Sequence, residues 1–315
     1  MGAEYNGAMA PPSPHSASAS VLRERLRGGS PLLLDGAMGT ELERRGITST
    51  LPLWSTHALL EAPGIVREIH SDYVAAGAEI VTANTFRTQR RTLERAGIAE
   101  RARELSTHAV ALAREAVAGH ASPCWVAGSA PTLEDCYRPD LVPDAESLER
   151  EHGEHASALA QAGIDLILVE TINCAREGVA AARAARATGL PFCVSFVCDE
   201  RARLLSGERL AAALDAVCAL EPDAIAVNCL PPAAVLGCLP KLAERAIPFG
   251  VWANLGSPSA DGFTRSDDCP PERFAELAGV WLDAGARIVG GCCGTTPDHI
   301  RAIFERRAAM ESGSR

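Results

Sequence analysis

The chain has 315 residues, of which 47 % are hydrophobic and 22 % charged, and its formal net charge is −10. Such a composition is typical of a globular enzyme that buries a large core without disulfides. The acidic balance argues against a nucleic-acid partner, because phosphate backbones are bound by clustered lysine and arginine. We expect no membrane partner either, since no stretch approaches the roughly 18 consecutive apolar residues of a membrane span.

Residues 1–20 are rich in Ala, Ser, Pro and Gly. They lack the basic n-region and the apolar h-region of a secretory signal. We therefore predict that residues 1–20 form a disordered tail and that the protein is cytoplasmic. In that compartment the eleven cysteines are expected to be free thiols or metal ligands, because disulfide frameworks belong to oxidising environments.

Residues 21–315 are predicted to form a single domain of alternating strands and helices. The predicted strands are 31–37, 79–86, 124–130, 166–172, 191–198, 224–230, 248–255 and 286–293. The predicted helices lie near 64–76, 98–118, 144–161, 175–187, 207–219, 232–245, 270–284 and 297–310. Helix C-caps are expected at Gly77, Gly163, Gly189 and Gly285.

Eight apolar strands, each followed by a helix, favour a (β/α)8 barrel, the TIM barrel. An open, doubly wound sheet is the alternative, because periodicity alone does not report closure. The longer connections cover residues 41–63, 131–143 and 256–271. All three follow strands, so in a barrel they would lie on the catalytic rim.

Polar residues stand at the ends of these apolar strands, where active-site groups of a barrel project. Any one of them could be a structural cap or a rim hydrogen bond, because a polar group there is costly without a partner. Together they predict one polar rim with two carboxylates and three thiols. The set is Asp35, Asn84, Gly128, Ser129, Glu170, Asn228, Cys229, Asn254, Cys292 and Cys293.

The three rim cysteines have a spacing that suits a metal. Cys229 ends the sixth predicted strand, and Cys292 and Cys293 end the eighth within the sequence GGCCGTTP. Adjacent residues of a regular strand point to opposite faces, so both thiolates reach one metal only if the backbone leaves β geometry, as flanking glycines permit. The alternatives are a vicinal disulfide and two unrelated buried cysteines.

Three thiolates suit Zn²⁺, and three protein ligands leave one position open, as in catalytic zinc sites. A substrate thiol in that position would lose its proton and act as a nucleophile. The remaining cysteines are expected to be core or incidental residues. Cys136 belongs to this group, whereas Cys174 and Cys198 lie closer to the rim.

Four segments resemble the homocysteine S-methyltransferase family: LDGAMGT from Leu34, PLWS from Pro52, VNC from Val227 and GGCCGTTP from Gly290. The resemblance runs from about residue 31 to the end of the last predicted helix. It implies a (β/α)8 barrel with a zinc ion on three cysteines. Those ligands would be Cys229, Cys292 and Cys293.

The resemblance also implies how the amino acid substrate is bound. Asp35 and Glu170 would hold the ammonium group of homocysteine, and the amides of Gly36 and Ala37 would lie near its carboxylate. Two carboxylates that fix an ammonium beside the thiol would lower the entropic barrier of the reaction. For Asp35, an Asx turn before Gly36 is the structural alternative.

The donor side departs from the members that use S-methylmethionine, which carry Ser-Tyr-Gln after the second strand and Arg after the cysteine pair. Here these positions are Asn84-Thr85-Phe86 and Gly294, closer to the homocysteine module of methionine synthase. Phe86 has no phenolic oxygen to offer zinc. Water or Asn228 is therefore expected at the fourth position before the substrate arrives.

The predicted function is zinc-dependent methyl transfer from a sulfonium donor, S-methylmethionine or S-adenosylmethionine, to homocysteine, forming methionine. Trp54 would contact the cationic donor through its ring face, or else serve loop packing. The alternatives are betaine, folate or corrinoid donors and, outside enzymes, a zinc-thiolate sensor. Neither another thiol acceptor nor the oligomeric state can be read from the sequence.

Overall fold

The computed structural model describes residues 14–120, 123–259 and 262–313. Eight parallel strands form one sheet: β1 (Leu32–Leu33), β2 (Ile80–Ala83), β3 (Trp125–Ala130), β4 (Leu166–Ile172), β5 (Phe192–Phe196), β6 (Ala224–Asn228), β7 (Phe249–Ala253) and β10 (Ile288–Gly291). An antiparallel hairpin, β8 (Gly256–Ser259) and β9 (Gly262–Arg265), lies between β7 and β10. It falls in the connection 256–271, where no strands were predicted.

The sheet closes into a barrel. Its order is β1-β10-β7-β6-β5-β4-β3-β2, and a parallel bridge between Leu34 and Ile80 joins the two outer strands. The Asp35 amide donates to the Ile80 carbonyl (2.9 Å) and the Glu79 amide donates to the Leu33 carbonyl (2.8 Å). The predicted (β/α)8 barrel is therefore confirmed, and the open doubly wound sheet is excluded.

All eight predicted helices are present, and the described part of the chain contains further short ones in the rim connections. The helices are α1 (Pro14–Arg27), α2 (Gly39–Arg44), α3 (His57–Glu61), α4 (Pro63–Ala75), α5 (Arg90–Arg95), α6 (Ala102–Val117), α7 (Ala145–Ala162), α8 (Ala175–Ala187), α9 (Leu210–Cys218), α10 (Pro232–Ala243), α11 (Pro271–Asp283) and α12 (Pro297–Gly313). The predicted C-cap glycines all have positive φ: Gly77, Gly163, Gly189 and Gly285. None of the described helices combines the length and apolarity that crossing a membrane requires.

The strands divide their side chains between two apolar layers. Successive residues of a strand point to opposite faces, so Leu32 and Leu34 fill the barrel interior with Trp252. Leu33 between them packs outward against the helices, in a second and larger cluster. This alternation leaves the ends of the strands as the places where polar groups can reach solvent or a ligand.

Helix α1 begins inside the segment 1–20 that was predicted to be a disordered tail. Leu22 and Leu26 of this helix are 0 % and 2 % exposed, and they pack with the first residues of the barrel strands. The tail prediction is thus corrected for residues 14–20, because the helix closes the end of the barrel opposite the catalytic rim. Residues 1–13 lie outside the described residues.

Three acidic residues directly before β2, β4 and β6 hold α1 against the barrel. In each of them, one carboxylate oxygen accepts a hydrogen bond from a side chain of α1. The other oxygen accepts a hydrogen bond from a backbone N–H of the strand that comes before it in the chain. The contacts to α1 are Arg25 with Glu79 (3.1 Å), Ser18 with Asp165 (3.1 Å) and Arg23 with Asp223 (2.8 Å). Sequence patterns give no sign of them, because the paired residues lie far apart in the chain.

Leu22→Ala is expected to lower the free energy of unfolding by about 2–5 kcal/mol, because a fully buried leucine is replaced by a cavity. The neighbouring Val21 is 49 % exposed, so Val21→Ala is a matched control that should change stability by no more than about 0.5 kcal/mol. Chemical denaturation of both variants measures the difference. Equal effects of the two substitutions would show that α1 is not packed on the barrel.

Candidate active site

Glu170 owes its position to an irregularity in β4. The register of β4 against β5 shifts between Val169 and Ile172, and Thr171 has a φ of 58°, which non-glycine residues adopt infrequently. Bulges of this kind redirect a side chain. The Thr171 amide donates to Oδ1 of Asn228 at 2.8 Å, so β6 holds the bulge in place, and Glu170 lines a cavity at the strand ends.

The Glu170 carboxyl group is buried but well partnered. It accepts hydrogen bonds from Ser129 Oγ (2.5 Å), Trp252 Nε1 (3.2 Å) and Asn228 Nδ2 (3.5 Å). Burial nevertheless raises its pKa to about 7. A cation bound in the cavity would favour the ionised carboxylate again.

Asp35 follows β1 and lies across the same cavity. Its two oxygens accept hydrogen bonds from the amide (2.7 Å) and the hydroxyl (3.0 Å) of Thr82 in β2. Burial, together with the nearby Glu170, raises the pKa of Asp35 to about 8. Two buried carboxyl groups that repel each other form a site suited to a cationic group.

Gly36 and Ala37 bring backbone to the wall of the cavity. The Tyr73 hydroxyl donates to the Ala37 carbonyl at 2.9 Å, and the Ala37 amide donates a long bond of 3.4 Å to Thr295 Oγ1. A Cβ at Gly36 would lie 2.7 Å from the same Thr295 oxygen. The segment after β1 is therefore fixed against α4 and against the turn that carries the cysteine pair.

The structure brings the three predicted metal ligands together. The Sγ atoms of Cys229, Cys292 and Cys293 all lie within 4.8 Å of one another. Cys229 has a φ of 55°, while its amide still donates to the Trp252 carbonyl of β7 at 3.1 Å. This left-handed residue interrupts the alternation of β6 and directs the sulfur to the rim.

The vicinal pair leaves β geometry, as predicted from the flanking glycines. Strand β10 ends at Gly291, and the Leu255 amide donates to the Cys293 carbonyl at 2.7 Å. Gly294 has a φ of 84°, and a Cβ there would lie 2.0 Å from the Leu255 carbonyl oxygen. Both cysteines are unpaired thiols, which is not the arrangement of a vicinal disulfide.

The charges of the three thiols are coupled. The pKa of Cys229 lies well below its usual value, because the Cys292 and Cys293 thiols donate hydrogen bonds to its sulfur. The pKa values of Cys292 and Cys293 are raised, because each donates to the Cys229 sulfur and is partly shielded from water beside it. Three thiolates this close together need a cation, so the cluster can hold a metal ion.

One cavity receives nearly all of the predicted site residues. Its walls include Asp35, Gly36, Ala37, Trp54, Glu170, Cys229, Cys292 and Cys293. Asn228 is the exception, because it is fully buried and its side-chain Nδ2 donates to Thr171 Oγ1 at 2.9 Å. The structure therefore places Asn228 beneath Glu170, where it orients that side chain, and not at the cavity wall as expected.

Three aromatic residues also line the cavity: Trp54, Phe86 and Tyr137. Trp54 has a φ of 46°, and its indole packs closely on Gly39, so its ring is held in one orientation. The Trp54 side chain thus packs within its loop and also lines the cavity; its contact with a cationic donor stays a prediction.

Sequence reasoning missed Tyr137 and treated its neighbour Cys136 as incidental, although both line the cavity. Tyr137 Oη lies 3.1 Å from Cys229 Sγ. Burial and the nearby thiols raise the pKa of the Tyr137 phenol, which therefore stays protonated. The available signal was its place in a long connection after a barrel strand, where functional residues concentrate.

Comparison with known proteins identifies the family. The family model described as homocysteine S-methyltransferase matches residues 32–307. The chain belongs to the homocysteine S-methyltransferase family. It is therefore a methyltransferase.

Members of this family from bacteria resemble the chain over nearly its full length. A homocysteine S-methyltransferase from Escherichia coli is 33 % identical, over 90 % of this chain and 98 % of the relative. A methionine synthase from Mycobacterium leprae is also 33 % identical, over 89 % of this chain but only 24 % of that longer protein. The crystal structure of the homocysteine methyltransferase MmuM from Escherichia coli in its metallated form superimposes with a TM-score of 0.77 at 31 % identity, covering 90 % of this chain and 99 % of that one.

Proposed function

We propose that the protein transfers a methyl group from a sulfonium donor, S-methylmethionine in the first place, to the thiol of homocysteine in a zinc-dependent reaction that forms methionine. The observation that carries this proposal is that three clustered thiols and two buried carboxyl groups open onto one cavity. The carboxyl groups suit the ammonium end of an amino acid, and the thiol cluster suits a metal that binds its sulfur end.

Zinc fits the cluster by its donor set. Three sulfur ligands favour a soft-tolerant tetrahedral ion, and a set of three leaves one position for a substrate. The 4.8 Å limit on the distances between the Sγ atoms accommodates Zn–S bonds of about 2.3 Å. Bound zinc would hold the homocysteine sulfur as a thiolate at neutral pH.

The protein's own residues would position homocysteine for attack. Asp35 and Glu170 accept its ammonium group, and the backbone at Gly36 and Ala37 receives its carboxylate. Ser129 and Trp252 keep the Glu170 carboxylate oriented through their hydrogen bonds. The homocysteine sulfur then attacks the donor's methyl carbon, while the bond from that carbon to the sulfonium sulfur breaks and the donor leaves as a neutral thioether.

The aromatic residues of the cavity support a cationic donor. Trp54, Phe86 and Tyr137 all line the cavity, and a contact between an aromatic ring and a positively charged methyl group contributes about 0.5–2 kcal/mol. A neutral thioether needs no proton to leave, and no acid is required on this side. S-adenosylmethionine carries the same sulfonium chemistry, and betaine carries a comparable quaternary ammonium.

A folate or corrinoid donor is the second candidate. It is favoured by Phe86 and Gly294, which resemble the homocysteine module of methionine synthase, and by the similarity to the Mycobacterium leprae enzyme. A panel of S-methylmethionine, S-adenosylmethionine, betaine and methyl-folate, each with homocysteine and zinc-loaded protein, tests the proposal. Methionine formed only from S-methylmethionine or S-adenosylmethionine supports it, whereas methionine formed only from betaine or methyl-folate refutes the sulfonium assignment.

The raised carboxyl pKa values predict how amino acid binding depends on pH. Below about pH 7 the carboxyl groups of Glu170 and Asp35 are neutral and attract an ammonium group weakly. The affinity should therefore increase as the pH rises through about 7 and about 8, by up to about tenfold per pH unit for each ionisation.

Calorimetry with L-methionine tests this pH dependence, because methionine has the ammonium group but no thiol to deprotonate. Glu170→Gln should remove the increase near pH 7 and leave the one near pH 8. An affinity of the wild-type protein that stays constant between about pH 6 and about pH 8.5 would contradict the ammonium clamp.

A further inference from the structure

Tyr137 forms a hydrogen bond with one of the three clustered thiols, that of Cys229. Its Oη lies 3.1 Å from Cys229 Sγ, and both residues line the cavity. A metal-bound cysteine has no proton, so the phenol is the donor of this hydrogen bond. Among the described residues, the side-chain partners of Cys292 and Cys293 are the other thiols of the cluster.

The connection that carries Tyr137 is fixed on both sides. The Tyr137 amide donates to Asp135 Oδ1 (2.9 Å), and Asn173 Nδ2 donates to the Cys136 carbonyl (3.1 Å). Further contacts hold the two ends of the same connection. Near its start, the Leu133 amide donates to Glu177, and Glu134 pairs with Arg91 and Arg95. Near its end, Arg176 donates to the Val142 and Pro143 carbonyls. The phenol is therefore placed against Cys229 before any ligand binds.

A sulfonium donor could also methylate the cysteines of such a site, because each metal-bound thiolate is itself a nucleophile. If Cys229 attacked the donor, a bond would form between its sulfur and the methyl carbon. The bond from that carbon to the sulfonium sulfur would break, with its electron pair leaving on the neutral thioether. The methylated cysteine would be a neutral and much poorer ligand. A hydrogen bond to the thiolate stabilises its negative charge and makes it less reactive.

We propose that Tyr137 shields Cys229 from methylation by the donor, so that the methyl group passes to homocysteine and the metal site survives repeated turnover. The proposal rests on the sulfonium donor proposed above. Tyr137 acts here through the cysteine it contacts, as a positioning residue. The phenol engages a lone pair of the Cys229 sulfur that would otherwise be free to attack the methyl group.

The test compares the zinc-loaded wild-type protein with Tyr137→Phe, which keeps the ring and removes the hydroxyl. Arg138→Gln is the matched control, because Arg138 is the next residue, is exposed and pairs with the exposed Asp140. Each protein is incubated with S-methylmethionine without homocysteine and, separately, with methyl iodide. Peptide mass spectrometry then measures the methylated fraction of Cys229, Cys292 and Cys293, and zinc is measured before and after.

In Tyr137→Phe the methylation rate of Cys229 should increase about tenfold to 100-fold, as expected for loss of one hydrogen bond to a charged group. The rates at Cys292 and Cys293 should not change, and zinc should be lost in proportion to Cys229 methylation. Arg138→Gln should behave like the wild type. A Cys229 rate in Tyr137→Phe equal to the wild-type rate, or an equal increase at all three cysteines, overturns the proposal. So does a zinc content that is already lower in Tyr137→Phe before the incubation.

Methyl iodide separates this proposal from the proposed function. If methyl iodide reveals the faster reaction at Cys229 while S-methylmethionine methylates neither cysteine nor homocysteine, the shield stands and the donor assignment fails. If S-methylmethionine supports methionine formation but neither reagent distinguishes Tyr137→Phe from the wild type, the donor assignment stands and the shield fails.

Discussion

Replacing Cys292 by alanine is expected to remove bound zinc and methyl transfer together. The three Sγ atoms are the only described His, Cys, Asp or Glu ligand atoms that cluster closely enough to hold a metal. With two thiolates the site has neither the charge nor the number of ligands that zinc needs. The zinc affinity should fall more than about 100-fold, beyond the range found when only a residue behind a metal ligand is changed.

The measurement is zinc content by elemental analysis beside turnover with homocysteine and the active donor. Cys218→Ala is the matched control, because Cys218 is also a partly exposed free thiol but lies at the end of α9, away from the cavity. It should retain zinc and activity. A Cys292→Ala protein that turns over normally without zinc would rule out the metal site as the centre of the reaction.

Glu170→Ala is expected to keep zinc in place and to weaken homocysteine binding about 100-fold or more. Glu170 is a buried carboxylate, and the loss of one partner from a buried ion pair costs about 3–5 kcal/mol. The effect should appear in KM for homocysteine, while KM for the donor changes little, because the proposed donor contacts are with the aromatic residues and not with Glu170.

Glu170→Gln separates charge from shape in the same position. Glutamine can keep its acceptor oxygen towards Trp252, while its NH2 group donates to the Ser129 hydroxyl. The surrounding contacts are then kept, with the hydrogen bond to Ser129 reversed, while the negative charge is lost. We expect most of the weakening seen in Glu170→Ala, with unfolding stability close to that of the wild type. An unchanged homocysteine KM in both variants would remove Glu170 from the ammonium clamp.

The barrel and most of its site could be predicted because they depend on local sequence. β4 has the predicted bounds, Leu166–Ile172, since an apolar run that begins at Leu166 between two helix patterns leaves few alternatives. Asp35, Cys229 and the vicinal pair were found because parallel strands bring their carboxyl ends to one rim. Their grouping into one cavity thus follows from topology once the strands are assigned.

The features that escaped prediction depend on contacts between distant segments. Helix α1 has an unremarkable composition, and only its packing on the barrel explains why it is ordered. Tyr137 reaches Cys229 across 92 residues of sequence, through a connection whose path no periodicity describes. Asn228 was correctly placed at the end of its strand, but its side chain forms hydrogen bonds with Thr171 in the bulge of β4. A bulge cannot be recognised from the sequence of a mainly apolar strand.

The attachment of α1 has a consequence for how the molecule assembles. Its three side-chain contacts span 54, 147 and 200 residues, reaching strands from the first, middle and later parts of the chain. Contacts this distant in sequence form late, because the intervening segments must first be brought together. The three contacts can form together only when the segments before β2, β4 and β6 are in place, so we expect helix α1 to dock after these strands have assembled. Because one helix contacts segments from distant parts of the chain, α1 is expected to make the barrel unfold as one cooperative unit.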